Sequence, residues 1–317
     1  MNTMNSVPPL VLFCCIQLAV IGPFAAGLLL RRRVRDPRRT TRGLVRINLA
    51  VLEPLIVLWC VWDLDVRPGL MVLPCAGLAL ALLSLAGGAL LLPLTGLAGR
   101  SRQTFLISST LSNHGFTLGG FLCFMLLGEA GLGYAVFMVL YFMPYVFGFI
   151  FPAARLACNH GGAGRTSWRD LVLVPQNLPL AALCTALALS AFRVTRPAVF
   201  MPLAPLMFVS IGLYYFTLGV TFRGADVRRA GRAHLCLGLV KFIIVPFIAW
   251  TVLRLSGLEP LMQSVIFIQA CMSTAIYSVI TAVLFDLDER LASALFVVNT
   301  VVCLVLAVPL LFWLTHA

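Results

Sequence analysis

The chain has 317 residues, of which 61% are hydrophobic and 11% charged, and its mean hydropathy is +1.02. Soluble domains are roughly a quarter charged, so these figures exclude an ordinary soluble fold and point to a polytopic membrane protein. The formal net charge of +12 would suit a nucleic-acid binder, but the arginines fall where membrane topology explains them, and no nucleic-acid partner is expected.

Ten apolar stretches follow one another, at about 8–30, 44–62, 68–95, 103–127, 131–154, 169–192, 198–221, 232–255, 260–285 and 290–315. A helical span takes about 20 residues, so ten of them leave only short loops. No basic region precedes span 1, and Arg31, Arg32 and Arg33 follow it directly. That order is the reverse of a cleavable signal peptide, so span 1 reads as a retained helix with its N-terminus outside. Eight arginines lie between spans 1 and 2, from Arg31 to Arg46, and suit the surface of an anionic leaflet. Alternate loops continue the bias with Arg100 and Arg102, then Arg155, Arg165 and Arg169, then Arg223, Arg228, Arg229 and Arg232, then Arg290. The opposite loops hold only Arg67, Arg193, Arg196 and Arg254. Positive charge marks the cytoplasmic side, so both termini are expected outside, periplasmic in a bacterial cytoplasmic membrane.

Span 2 carries Glu53 beside Pro54, the only acidic residue well inside a span. An intramembrane carboxylate costs ~2.5–3.5 kcal/mol on insertion scales and reads as functional by default. Glu53 is therefore the candidate for proton coupling, with a structural ion pair or neutral acid as the alternative. Span 4, from Gln103 to Leu127, is polar and glycine-rich at its centre, SNHGFTLGG from Ser112 to Gly120. Lipid cannot satisfy exposed backbone, so irregular backbone survives there only inside protein or beside a watery cavity. Interrupted helices of this kind form the binding sites of secondary transporters.

The segment Ala157–Ser167 (ACNHGGAGRTS) is the one pause in the pattern and separates five spans from five. An odd number per half turns the second half upside-down, the inverted-repeat arrangement of many transporters. The expected organisation is a first five-helix repeat at 1–156, a cytoplasmic linker at 157–168 and a second, inverted repeat at 169–317. Span 9 is then the counterpart of span 4, and its centre is also polar, with Gln269, Ser273, Thr274, Tyr277, Ser278 and Thr281. The expected fold class is an all-α integral membrane protein of ten transmembrane helices in two inverted five-helix repeats, with spans 4 and 9 interrupted and crossing at the midplane.

SNHGFTLGG followed by LLGEAGLGYAVFMVL resembles the fourth span of the auxin efflux carrier and malonate-type permease family, within the bile acid, arsenite and auxin transporter-like superfamily. MSTAIYSVITAVLFDLDERLASALFVVNT resembles that family's ninth and tenth spans, and Pro54, Leu218 with Gly219, and Lys241 with Pro246 suit it as well. The resemblance implies a crossover of spans 4 and 9 and a scaffold that includes spans 1, 2, 6 and 7. Gly120 and Ser273 stand where that family has the prolines that break the two helices. Glycine supplies flexible backbone, but it does not force a break as proline does. A continuous or gently bent helix is thus an open alternative.

The candidate substrate-binding residues are Asn113, His114, Gly115, Gly119 and Gly120 on span 4, and Gln269, Ser273 and Thr274 on span 9. Freed backbone groups and half-helix termini at such a break bind substrates and ions. Asn113 offers both a donor and an acceptor, and His114 an anion contact or a proton relay. Each has a bland reading: satisfying neighbouring helices, bonding its own backbone, or, for Gly115 with Gly119, close helix packing. Lys241, the sole lysine, is the candidate for anion attraction, a partner for Glu53, or a residue that snorkels to the interface. Tyr141, Tyr145, Tyr214 and Tyr215 read as anchors or packing rather than cavity lining. Asp286, Asp288 and Glu289 read as a solvated turn and helix cap.

The ten cysteines form no CxxC pair and read as small buried hydrophobes. The histidines, His114, His160, His234 and His316, have no metal-ligand spacing. No enzyme constellation, metal or cofactor is therefore expected. The expected function is a permease for a small organic anion, a mono- or dicarboxylate, working by alternating access and driven by a proton or sodium gradient or by the substrate's own. The alternative is a transport-inactive sensor or scaffold subunit of the same fold. The expected partners are membrane lipid and the organic anion, with a homodimer left open.

Overall fold

A computed structural model describes residues 9–34, 36–64, 67–114, 117–157, 178–221 and 230–316. The helices in chain order begin with α1 (Pro9–Leu30), α2 (Pro37–Ile47), α3 (Glu53–Trp62), α4 (Val72–Thr95), α5 (Gly99–Thr110) and α6 (Leu118–Met138). Then come α7 (Phe142–Tyr145), α8 (Phe151–Ala157), α9 (Leu178–Ala191), α10 (Leu203–Thr221) and α11 (Gly231–Leu239). The chain closes with α12 (Val245–Leu255), α13 (Pro260–Ala270), α14 (Tyr277–Leu284), α15 (Glu289–Val302) and α16 (Val308–His316). Among the described residues, six helical runs are long and apolar enough to cross a membrane: Arg39–Trp62, Pro68–Thr95, Leu118–Leu156, Leu203–Val220, Gly231–Leu255 and Glu289–Trp313. Shorter apolar helices cover Cys14–Leu30, Leu178–Ala191 and Pro260–Ala270. The protein is an all-α, multi-pass membrane protein. The expected linker lies outside the described residues beyond Ala157, and the sixth apolar stretch is described only from Leu178.

Four π turns interrupt the helices, at Asn48–Leu52, Val146–Ile150, Val240–Ile244 and Cys303–Ala307. Each ends two residues before a proline, respectively Pro54, Pro152, Pro246 and Pro309. The cause is local. Proline has no N–H and its ring collides with the carbonyl four residues back. Widening the preceding turn by one residue relieves that collision without ending the helix. Proline therefore shapes the turns that hold Asn48 and Lys241 and the start of α3 at Glu53.

The chain forms two compact units, each drawing segments from both halves of the sequence. The first comprises Met1–Met71, Gly115–Phe137 and Arg165–Phe222. In it α1 and α10 pack backbone against backbone. A methyl group added at Gly27 would lie 2.2 Å from the carbonyl oxygen of Phe216, and one at Gly219 would lie 2.1 Å from that of Phe24. Only glycine permits that approach. Gly128, at φ 73° and ψ −160°, divides α6 into two helical pieces, a backbone shape that glycine adopts without a Cβ clash. Arg196 gathers the ends of this unit, pairing with Asp63 at 2.9 Å and Glu129 at 2.5 Å. It also donates to the Trp59 carbonyl at 2.9 Å and lies 4.6 Å above the Trp59 ring.

The second unit comprises Val72–His114, Met138–Gly164 and Arg223–Ala317. A core of Leu92, Phe105, Leu237, Leu291 and Leu295 joins α4, α5, α11 and α15. Small residues on α4 admit close neighbours: a methyl at Gly88 would meet the Ser109 side chain at 2.5 Å, and one at Gly77 the Tyr141 ring. Asp288 caps α15 by accepting from the Leu291 N–H at 3.0 Å, and Asp286 pairs with Arg100 at 2.9 Å. The acidic turn is a cap and a surface ion pair, as its composition suggests.

Candidate functional site

Both polar-centred spans are broken. α5 ends at Thr110, Leu111 turns to extended backbone at φ −82° and ψ 118°, and helix resumes at Leu118. α13 ends at Ala270 and α14 starts at Tyr277. The continuous-helix alternative is thereby corrected: the breaks form with Gly120 and Ser273 in place of the prolines. The reason is that each break satisfies the other. Ser112 pairs antiparallel with Thr274. The Asn113 N–H donates to the Ser273 carbonyl at 2.7 Å, and the Ala275 N–H to the Leu111 carbonyl at 2.9 Å. Buried backbone groups need such partners, and here two stretches of freed backbone supply them to one another as a two-residue fragment of sheet.

Side chains complete the arrangement within the second unit. Asn299 on α15 accepts the Thr274 N–H at its Oδ1, 2.8 Å away. The Thr274 hydroxyl lies 3.2 Å from the same oxygen and 3.1 Å from the Ser108 carbonyl. His114 Nε2 lies 3.0 Å from the Gln269 carbonyl, and its Nδ1 lies 2.8 Å from the Tyr141 hydroxyl. A carbonyl only accepts, so the proton sits on Nε2, and in the neutral ring Nδ1 accepts from Tyr141. With both ring nitrogens engaged, His114 ties the break to the last turn of α13. Tyr145 and Thr110 share a 2.7 Å hydrogen bond, and the Thr110 hydroxyl also lies 2.8 Å from the Ala81 carbonyl.

Lys241, in the π turn ahead of Pro246, is 1% exposed. Its Nζ donates to the Ser112 hydroxyl at 2.6 Å and reaches the Leu111 carbonyl at 3.5 Å. Among the described residues no carboxylate pairs with it. Of the described acids in this unit, Asp286 and Asp288 are engaged ahead of α15, Glu289 opens that helix and Glu259 precedes α13. Lys241 Nζ therefore faces hydroxyl and carbonyl oxygens at the C-terminal end of α5.

Glu53 belongs to the first unit, where it is 3% exposed and accepts from the Tyr214 hydroxyl at 2.5 Å. One π turn earlier, Asn48 Nδ2 donates to the Ser210 carbonyl at 3.1 Å, while its Oδ1 is buried without a hydrogen-bond partner among the described residues. These are two polar rungs between the span-2 helix and α10.

Of the residues singled out from sequence, Asn113, His114, Gln269, Ser273, Thr274 and Lys241 come together in the second unit, all of them 8% exposed or less. Gly119 and Gly120 open α6 and belong to the first unit. Gly115 lies outside the described residues. Sequence reasoning missed Asn299 and favoured anchoring or packing for Tyr141, Tyr145 and Tyr214 without naming their hydrogen-bond partners. An asparagine within the apolar run ALFVVNTVVCLVL was the available signal, because intramembrane polar groups seek partners. All nine described cysteines are free thiols; Cys60, Cys123, Cys236, Cys271 and Cys303 are buried as expected, whereas Cys14, Cys75 and Cys184 are exposed on apolar helices.

Residues 164–314 match the protein family described as membrane transport protein. The match covers the second half of the chain, supports the resemblance to auxin efflux carriers, and indicates a membrane transporter. No curated protein matches the chain.

Proposed function

We propose that this chain, whose second half carries the membrane transport protein pattern, is a secondary transporter for a small organic anion, a mono- or dicarboxylate. The observation that carries this reading is the buried ammonium of Lys241, without a carboxylate partner among the described residues, beside two paired helix breaks. An unpaired buried charge costs several kcal/mol, and an anionic substrate would offset it when bound. Asn113, Gln269, Ser273 and Thr274 are the polar groups proposed to orient that anion. Glu53 is proposed as the proton-coupling group.

In this reading ten spans form two inverted repeats, residues 1–156 and 169–317, around the cytoplasmic linker 157–168, and spans 4 and 9 cross at the midplane. Transport proceeds by alternating access, with both termini outside a bacterial cytoplasmic membrane. The alternative is a transport-inactive sensor or scaffold subunit of the same fold, and uptake distinguishes the two.

Uptake of labelled mono- and dicarboxylates into proteoliposomes, with and without imposed pH or sodium gradients, tests the proposal. Saturable uptake of at least one carboxylate is expected, reduced in Asn113→Ala at unchanged expression and folding. No uptake of any carboxylate under any gradient overturns it, and full activity of Asn113→Ala moves the site elsewhere.

A further inference from the structure

Two helices, α5 and α13, both end at the paired breaks, so each brings its C-terminal, electronegative end there. A helix C-terminus carries about half a negative charge, and its last carbonyls lack helical partners. Backbone carbonyls and hydroxyls at interrupted helices are the ligands that hold Na⁺ in secondary transporters. At the end of α5 those ligand types are the Leu111 carbonyl and the Ser112 hydroxyl, and Lys241 Nζ already occupies them at 3.5 Å and 2.6 Å.

From this geometry we infer that the Lys241 side chain is a resident, covalently tethered cation that fills a monovalent-cation site at the C-terminal end of α5. An ammonium group and a bare Na⁺ or K⁺ ask for the same oxygen ligands. The π turn ahead of Pro246 sets the Lys241 position on its helix, and burial to 1% exposure removes competing water. A tethered cation holds the break in shape without needing an ion from solution. Resting on the transporter reading, a consequence follows for coupling: no dissociable sodium ion is needed at this point of the cycle. Truncation of Lys241 to alanine vacates the volume of the butylammonium and leaves its oxygens open to a free cation.

The test is thermal unfolding of the purified full chain in NaCl, KCl or choline chloride at fixed ionic strength. The wild-type protein is expected to unfold at one temperature in all three salts. Lys241→Ala is expected to unfold lower in choline and to recover with rising Na⁺, K⁺ or ethylammonium. Lys241→Gln, which fills most of that volume and keeps a donor but no charge, is expected to unfold lower in choline without recovering when Na⁺ or K⁺ is added. Stabilisation of the wild type by Na⁺ over choline overturns the inference. So does indifference of Lys241→Ala to every cation, or a Lys241→Gln variant as stable in choline as the wild type. If neither variant folds, the wild-type comparison decides alone. Because unfolding is read without substrate, failure of the carboxylate uptake screen leaves this result untouched, and the reverse also holds.

Discussion

Thr274 gives its backbone N–H to the side-chain oxygen of Asn299, 2.8 Å away and 25 residues later in the chain. A side chain from α15 thus closes a backbone gap in the neighbouring span. Proline creates such a gap by removing a donor. Here the gap exists with its donor intact, and the donor is satisfied from outside the helix. The break depends on its partners, which makes it open to mutation.

Replacing Asn299 with alanine leaves a buried N–H unpaired, at a cost of about 1–3 kcal/mol. Asn299→Ala should lower the unfolding temperature in detergent, whereas Asn299→Asp, which keeps an acceptor, should lose less. Equal unfolding temperatures for Asn299→Ala and the wild type would remove Asn299 from this role.

Glu53 is buried and bonded to Tyr214 within the first unit. If it carries the coupled proton, Glu53→Gln should abolish pH-driven accumulation in proteoliposomes while substrate exchange continues, since glutamine keeps the hydrogen bond but cannot titrate. Normal accumulation by Glu53→Gln would sink the coupling role.

The close approach of α1 and α10 allows a controlled comparison. Gly219→Val forces a side chain onto the Phe24 carbonyl, whereas a methyl at Gly238 meets nothing within 4 Å. Overpacking typically costs about 1–3 kcal/mol and more against rigid backbone. Folded yield, read by size-exclusion profile, should fall sharply for Gly219→Val and hold for Gly238→Ala. Equal yields would contradict the backbone contact.

Arg196 holds Asp63, Glu129 and the Trp59 carbonyl and ring at once, with its side chain 21% exposed. Exposed pairs contribute about 0–1 kcal/mol each, and the cation–π contact about 0.5–1 kcal/mol more. Arg196→Ala should therefore destabilise the first unit by about 1–2 kcal/mol, visible as earlier denaturation of the Trp59 and Trp62 fluorescence. Lysine at this position should rescue only part of the loss, because it lacks the planar fork.

Much of the candidate site was legible before folding. SNHGFTLGG and the polar centre of span 9 stand out because lipid excludes such residues unless something satisfies them. What did not follow was whether the helices break. Gly120 and Ser273 only permit a break, and the decision lay with backbone groups more than a hundred residues away. The hydrogen-bond partners of the tyrosines were not legible for a similar reason. An aromatic ring with a hydroxyl suits an interface and a buried hydrogen bond equally well, and Tyr141 becomes a site residue only through His114.

The sequence by itself determined what depends on local chemistry. That includes the membrane class, the order of the apolar helices, the two polar interruptions, and the prolines at 54, 152, 246 and 309 that each follow a π turn. Tertiary structure decided the partners. Lys241, as a long side chain in an apolar span, could have snorkelled to the surface. It bonds instead to Ser112, 129 residues away along the chain. Hydropathy and periodicity act over one or two turns. A buried polar group, by contrast, is satisfied by whichever atom packing brings within about 3 Å, and only the folded chain fixes which atom that is.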